Sequence, residues 1–175
     1  SYPEERNWLE NRTILSGDLK RDDEHLGSMD DNSYHVVTGN GTDSTAVLDG
    51  FVITGGNADR KKWPDDGGGG MNNHNGSPTI INCLFEKNHC FADGGGMRNW
   101  GDAEPRIIQT VFRENRSEQE GGGMMNGPDS RTLVLNCRFI RNHSAEDGGG
   151  IYNNETKPHY IMNCLFLHNT AALTG

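Results

Sequence analysis

Four acidic side chains recur on a fixed beat. Asp66, Asp93, Glu120 and Asp147 each stand directly before a run of glycines, at steps of 27 residues. Stacked one above another, like charges about 5 Å apart repel. A divalent cation, Ca²⁺ above all, relieves that repulsion by drawing on clustered carboxylate and carbonyl oxygens. The other reading is structural: each carboxylate accepts backbone N–H groups from the glycine turn that follows it. Glycine then stands there because the chain turns with positive φ or packs closely. Both readings stay open. Calcium-binding β-rolls put aspartate after glycine on a period of about nine residues, and this row does neither.

Other chemically capable groups are sparser. Arg98, Asp102 and Glu104 lie near one another in sequence, and Arg113 and Glu86 are 27 residues apart. Ion pairs on a surface explain both sets as well as catalysis does. His89 and His143, two repeats apart, fall roughly 10 Å from each other if the repeats stack, too far to share a metal. No Ser/His/Asp set, phosphate loop or haem motif occurs, so the residues make a weak case for an enzyme. Cys83, Cys137 and Cys164 share one repeat position with Thr110, which asks for a small buried side chain and predicts free thiols. Cys90 falls outside that position, in a turn, and is expected to be exposed. N-x-S/T sequons occur at Asn11, Asn40, Asn75, Asn115, Asn142 and Asn154. Asn40, Asn75 and Asn154 fall in turns that could carry a glycan, whereas Asn115 and Asn142 belong to the repeat's interior.

What positions these groups is the repeat itself. Asn88, Asn115, Asn142 and Asn169 are spaced by 27 residues, and so are Phe85, Phe112, Phe139 and Phe166. Strict periods of this size mark solenoids. No stretch carries a helical period long enough for a helical repeat. Each unit instead holds short runs such as GGGMRN, PRII and TVFREN, bounded by Gly, Pro, Asn and Asp. These predict an all-β, right-handed parallel β-helix with three short strands per coil of about 27 residues and about six coils. Phe and Cys/Thr should stack inside. Asn should hold the corners, where it tolerates a left-handed conformation and bonds to the Asn above and below. Residues 1–175 read as one domain, with irregular coils over 1–66 and regular repeats over 67–175. In TAVLDGFVITGGNA, Phe51, Ile53 and Gly56 take the Cys, Phe and Asn places. After it, DRKKWPDD brings about five residues more than the later repeats have at that point.

Composition agrees with a solenoid. Glycine supplies 24 of 175 residues, about twice the usual share of roughly 7%. The mean hydropathy of −0.78 with a net charge of −9 would suit a disordered chain, but a disordered chain has no need of period. An acidic balance of 25 against 16 argues against nucleic acid as a partner. No transmembrane segment is expected, because no apolar run reaches spanning length.

FxxN with GGGM or GGGI at 27-residue spacing, behind TILSGD and LDGFVITGGNA, resembles the repeats of polymorphic outer-membrane-type bacterial surface proteins. The resemblance runs from about Thr13 to Ala171. It implies an extracellular or cell-surface setting and a parallel β-helix, a fold shared with pectate lyases and other polysaccharide enzymes. Fold alone does not choose among their activities. The expected function is a non-catalytic surface scaffold. Its ends, the charged SYPEERNWLEN and the uncovered FLHNTAALTG, read either as cuts from a longer solenoid or as faces that would let it self-associate end to end into a filament. Ile140, Leu165 and Leu167, pointing outward together, would suit either lateral packing or cover by an N-terminal segment. The alternative is a polysaccharide lyase or hydrolase, or a glycan-binding module, of the pectate-lyase-like fold. A groove lined with aromatics beside a convergent Arg/Asp/Lys set would favour that alternative.

Overall fold

The computed structural model describes residues 10–23, 28–154 and 156–173; most of the SYPEERNWLEN segment lies outside them. The described chain is an all-β solenoid of four parallel sheets. The methionine sheet stacks Val37–Thr38, Met71–His74, Met97–Trp100, Met124–Asn126 and Ile151–Asn153. The isoleucine sheet stacks Val47–Asp49, Thr79–Ile81, Arg106–Ile108, Leu133–Leu135 and Tyr160–Met162. The phenylalanine sheet holds Thr13–Ser16, Phe51–Thr54, Leu84–Glu86, Val111–Arg113, Arg138–Ile140 and Leu165–Leu167. A fourth sheet is made of two-residue strands: Asn57–Ala58, His89–Cys90, Arg116–Ser117, His143–Ser144 and Thr170–Ala171.

Two expectations need correction. Each turn has four strands rather than three, because the two residues after each corner Asn realign after the bend. Arg116 pairs in register with His89 on one side and His143 on the other. The turns number about four rather than six. The early strand Thr13–Ser16 pairs only with Phe51–Thr54 and adds no complete turn of its own.

Register explains the core. Phe85, Phe112 and Phe139 pair across neighbouring strands and are fully buried. Their rings stack at 4.9 and 4.8 Å, and Phe166 continues the column at 5.0 Å from Phe139. Met71, Met97 and Met124 form a second column, and Ile80, Ile107 and Val134 a third, all buried. Ile53 sits level with Phe85, as its place in the variant repeat predicts. The first glycine run is set one residue off the later spacing: Met71 pairs with Met97, 26 positions on, whereas Thr79 pairs with Arg106, a full 27 positions on.

The Asn column is a continuous hydrogen-bonded ladder. Asn88 Nδ2 donates to Asn115 Oδ1 at 3.0 Å, Asn115 to Asn142 at 2.9 Å and Asn142 to Asn169 at 2.9 Å. The same oxygens also accept the backbone N–H of the preceding Asn. Each Nδ2 reaches back as well to the carbonyl above, as Asn115 does to Phe85. These side chains therefore replace backbone partners that the bend removes. The left-handed residues at this corner are, however, Lys87, Glu114, Arg141 and His168, each one position before the Asn. Left-handed Asn residues fill another corner, at Asn82, Asn136 and Asn163, with Gln109 in the same column, and one more stands apart from it at Asn75.

The glycine runs have a steric cause. Gly94, Gly121 and Gly148 take positive φ. At Gly96 a Cβ would sit 2.5 Å from the carbonyl oxygen of Gly123, so the close approach of neighbouring levels excludes any side chain.

Candidate functional site

The regular levels leave the outward face of the methionine sheet with Asn72, Arg98 and Met125 in one row. Arg98 is only 3% exposed, which is unusual for a guanidinium on a sheet face. It is covered by the insert that breaks the period between Ala58 and the next glycines. Its Nη1 donates to Asp66 Oδ1 at 2.8 Å and its Nη2 to the Pro64 carbonyl at 2.9 Å. Its Nε reaches Asn72 Oδ1 at 3.4 Å, and its guanidinium lies 4.7 Å from the centre of the Trp63 ring. Buried charge is tolerable here because these groups neutralise it and satisfy its donors.

Two further cations pin the insert to the solenoid, Arg60 over Tyr34 at 4.8 Å and Lys61 over Phe91 at 4.7 Å. Thus held, Trp63 meets His74 edge-on at 5.3 Å and Trp100 at 6.4 Å, at the ends of two adjacent strands. Trp63 stays 46% exposed. Trp63, Trp100, Asp66, Asp93 and Arg98 line a cavity of about 310 Å³.

The two carboxylates of this cavity sit in different environments. Asp66 is held by Arg98. Burial pushes the Asp93 carboxyl above its usual range, and negative neighbours add to that push, while the Glu120 N–H and Arg98 oppose it. Arg98 is committed to Asp66, Pro64 and Asn72. The cavity can therefore offer an indole face and carboxylate acceptors to a ligand, with its cation already paired.

Two members of the acidic row already have partners for their side chains. Arg98 neutralises Asp66, and Asp93 Oδ1 accepts the N–H of Glu120 on the next level at 3.4 Å rather than that of its own glycine turn. The glycine N–H groups go instead to main-chain carbonyls of the row: Gly68 to Asp93, Gly94 to Glu120 and Gly121 to Asp147. Burial also raises the Glu120 carboxyl, with Asp93 adding to the effect and a bond from Tyr152 opposing it. Among the described residues, the gathering of three carboxylates within 4.8 Å lies elsewhere, at Asp18, Asp22 and Asp23.

Arg98, Asp102 and Glu104 do not converge. Asp102 pairs with Lys157 at 2.8 Å and Glu104 with Arg131 at 3.8 Å. Arg113 and Glu86 do pair across adjacent levels. His89 bonds to Asn57 and Glu118, whereas His143 bonds to Thr170, so the two rings serve separate sites. All four cysteines are free thiols, and Cys90 is buried rather than exposed because the fourth sheet turns it inward. Asn40, Asn75 and Asn154 are exposed, whereas Asn115 and Asn142 are sealed in the ladder. A second ladder escaped the sequence reading: Asn73, Asn99, Asn126 and Asn153 bond in series at 3.0, 2.8 and 2.8 Å. Trp63, His74 and Trp100 were also missed as a group; the signal that could have found them is the insert itself.

Comparison with protein-family models, with curated proteins and with solved structures finds no match to this chain.

Proposed function

We propose that this solenoid is a non-catalytic scaffold of the cell surface or extracellular space that binds carbohydrate where its period is interrupted. The observation that carries the reading is the exposed Trp63 indole beside Trp100, Asp66 and Asp93 in one cavity. A sugar's C–H face packs on an indole, and its hydroxyls donate to carboxylates that fix its orientation. Insertions that break a solenoid's repeat commonly mark its binding face. Because Arg98 is already paired with Asp66, Asp93 leaves the cavity with an uncompensated carboxylate, which disfavours a uronate. The ligand class is a neutral or amino sugar, which separates this site from those of lyases acting on acidic polysaccharides. The resemblance to polymorphic outer-membrane repeats supports the surface setting.

Titration with neutral, amino and uronic oligosaccharides, followed by tryptophan fluorescence and calorimetry, tests this. Binding of one of the first two classes that is lost in Trp63→Ala is the expected result. Absence of binding across the panel would sink it, and release of reducing ends would turn the module into a hydrolase.

A second reading, end-to-end self-association, is favoured by the exposed last level. Tyr160, Met162, Leu165, Phe166 and Leu167 are 40–52% exposed there. At the opposite end Ile14 and Val47 are 59% and 62% exposed. A second copy would continue the same parallel ladders, with screening salt easing the approach of two acidic chains. Light scattering over a concentration series in salt checks it; a constant monomer mass would rule it out.

A further inference from the structure

We propose that Asp18, Asp22, Asp23 and Asn32 form a Ca²⁺ site beside the first strand of the phenylalanine sheet, separate from the cavity under Trp63. One oxygen from each of the three carboxylates lies within 4.8 Å of the others. Among the described residues, no Lys or Arg pairs with them within 4.0 Å. Arg21 lines the same open cavity of about 480 Å³ as Asp18 and Asp23, and its backbone N–H donates to Asp18 Oδ1.

Acidic clustering alone would not make this a site. The independent observation is Asn32, which is 8% exposed and directs its amide into the group. Its Nδ2 donates to Asp23 Oδ2 at 2.8 Å, while its buried Oδ1 has no partner. Asp22 Oδ1 and Asp23 Oδ1 are buried and unpartnered as well. Buried acceptors without donors cost free energy that a cation would recover. A half-turn of the Asn32 amide exchanges its oxygen and nitrogen within the same volume. It would place the carbonyl oxygen beside Asp23 and give up one hydrogen bond to a carboxylate that the ion then neutralises. Three carboxylates, one amide oxygen and water from the open cavity make an all-oxygen set of the kind Ca²⁺ accepts. Mg²⁺, which demands a tighter octahedron, fits a set of this irregularity less well.

The test uses the full chain and the metal alone. Calorimetry should show one Ca²⁺ taken up per chain, with Mg²⁺ weaker, and chelator should reverse a rise in melting temperature. The double variant Asp22→Asn, Asp23→Asn should lose about tenfold or more in affinity. It should also melt no lower than the ion-free parent, because like charges have been removed. Asn32→Ala, a milder change, should weaken binding and keep the fold, while Asp93→Asn should bind Ca²⁺ as the parent does. No heat and no thermal shift at millimolar Ca²⁺ overturns the proposal, as does unchanged affinity in the Asn32 and Asp22/Asp23 variants. Loss of binding in Asp93→Asn instead would move the ion to the acidic row.

Discussion

Arg98 Nη1 lies 2.8 Å from Asp66 Oδ1, tying a strand of the solenoid to an insert 32 residues earlier in the chain. The pair is buried on the arginine side and only partly exposed on the other. Arg98→Ala should therefore destabilise by about 3 kcal/mol, since breaking a buried pair strands the remaining charge and the Pro64 carbonyl. Because Trp63 stacks on the guanidinium, the variant's tryptophan emission should shift red even where the fold persists. Urea unfolding and emission spectra measure both.

Phe112→Ala should cost about 3–5 kcal/mol, the usual range for removing a buried ring. Phe112 is wedged between Phe85 and Phe139 and has no exposed surface. Phe166→Ala should cost much less, because Phe166 is 46% exposed and stacks against Phe139 alone. Equal losses in chemical denaturation would mean that the two ends of the column are equally covered in solution.

Gln109 is the exception in a left-handed column otherwise filled by Asn82, Asn136 and Asn163. Asn reaches this conformation more readily than Gln, because its short amide bonds locally. Asn163 already donates to Asn136 at 2.6 Å across adjacent levels. Gln109→Asn should stabilise by about 0.5–1 kcal/mol, raising Tm by roughly 1–4 °C for a chain of this size. Differential scanning calorimetry would detect it.

Asp93 gives a pH dependence whose sign is fixed. Its folded pKa is raised above the ordinary 3.8, chiefly by burial. The folded state thus holds its proton more tightly than the unfolded chain, and ionisation costs stability above the folded pKa. That cost disappears as pH falls toward 3.8. Asp93→Asn should accordingly raise Tm at pH 7, with the gain shrinking as pH approaches 4. Glu118 acts in the opposite sense. Its bond from Arg116 holds it down to about 2, so its contribution is present above 4.5 and lost as pH falls toward 2. Melting curves of parent and Asp93→Asn between pH 7 and 2 separate the two: the difference between the curves shrinks toward pH 4, whereas the loss below 4.5 is common to both.

The repeat was legible in the sequence because a solenoid is close to one-dimensional. Phe112 has Phe85 and Phe139 as neighbours because all three recur at one step, so spacing alone predicts the contact. The same argument yields the Asn88–Asn169 ladder, the thiol column and the small-residue requirement at the glycines. It stops where contacts cease to be periodic. Which residue bends left-handed is a property of the backbone path, so the corner fell on Glu114 although Asn115 carries the signal. The fourth strand needs only two residues in register, too few for a pattern to register. Asp23 meets Asn32, and Trp63 and Pro64 meet Arg98, through segments that have no counterpart in other repeats. The sequence by itself determined the stack and marked where its period fails. Only the tertiary structure decided what the interruptions touch, because those contacts depend on how an irregular segment lies across outward side chains of other levels.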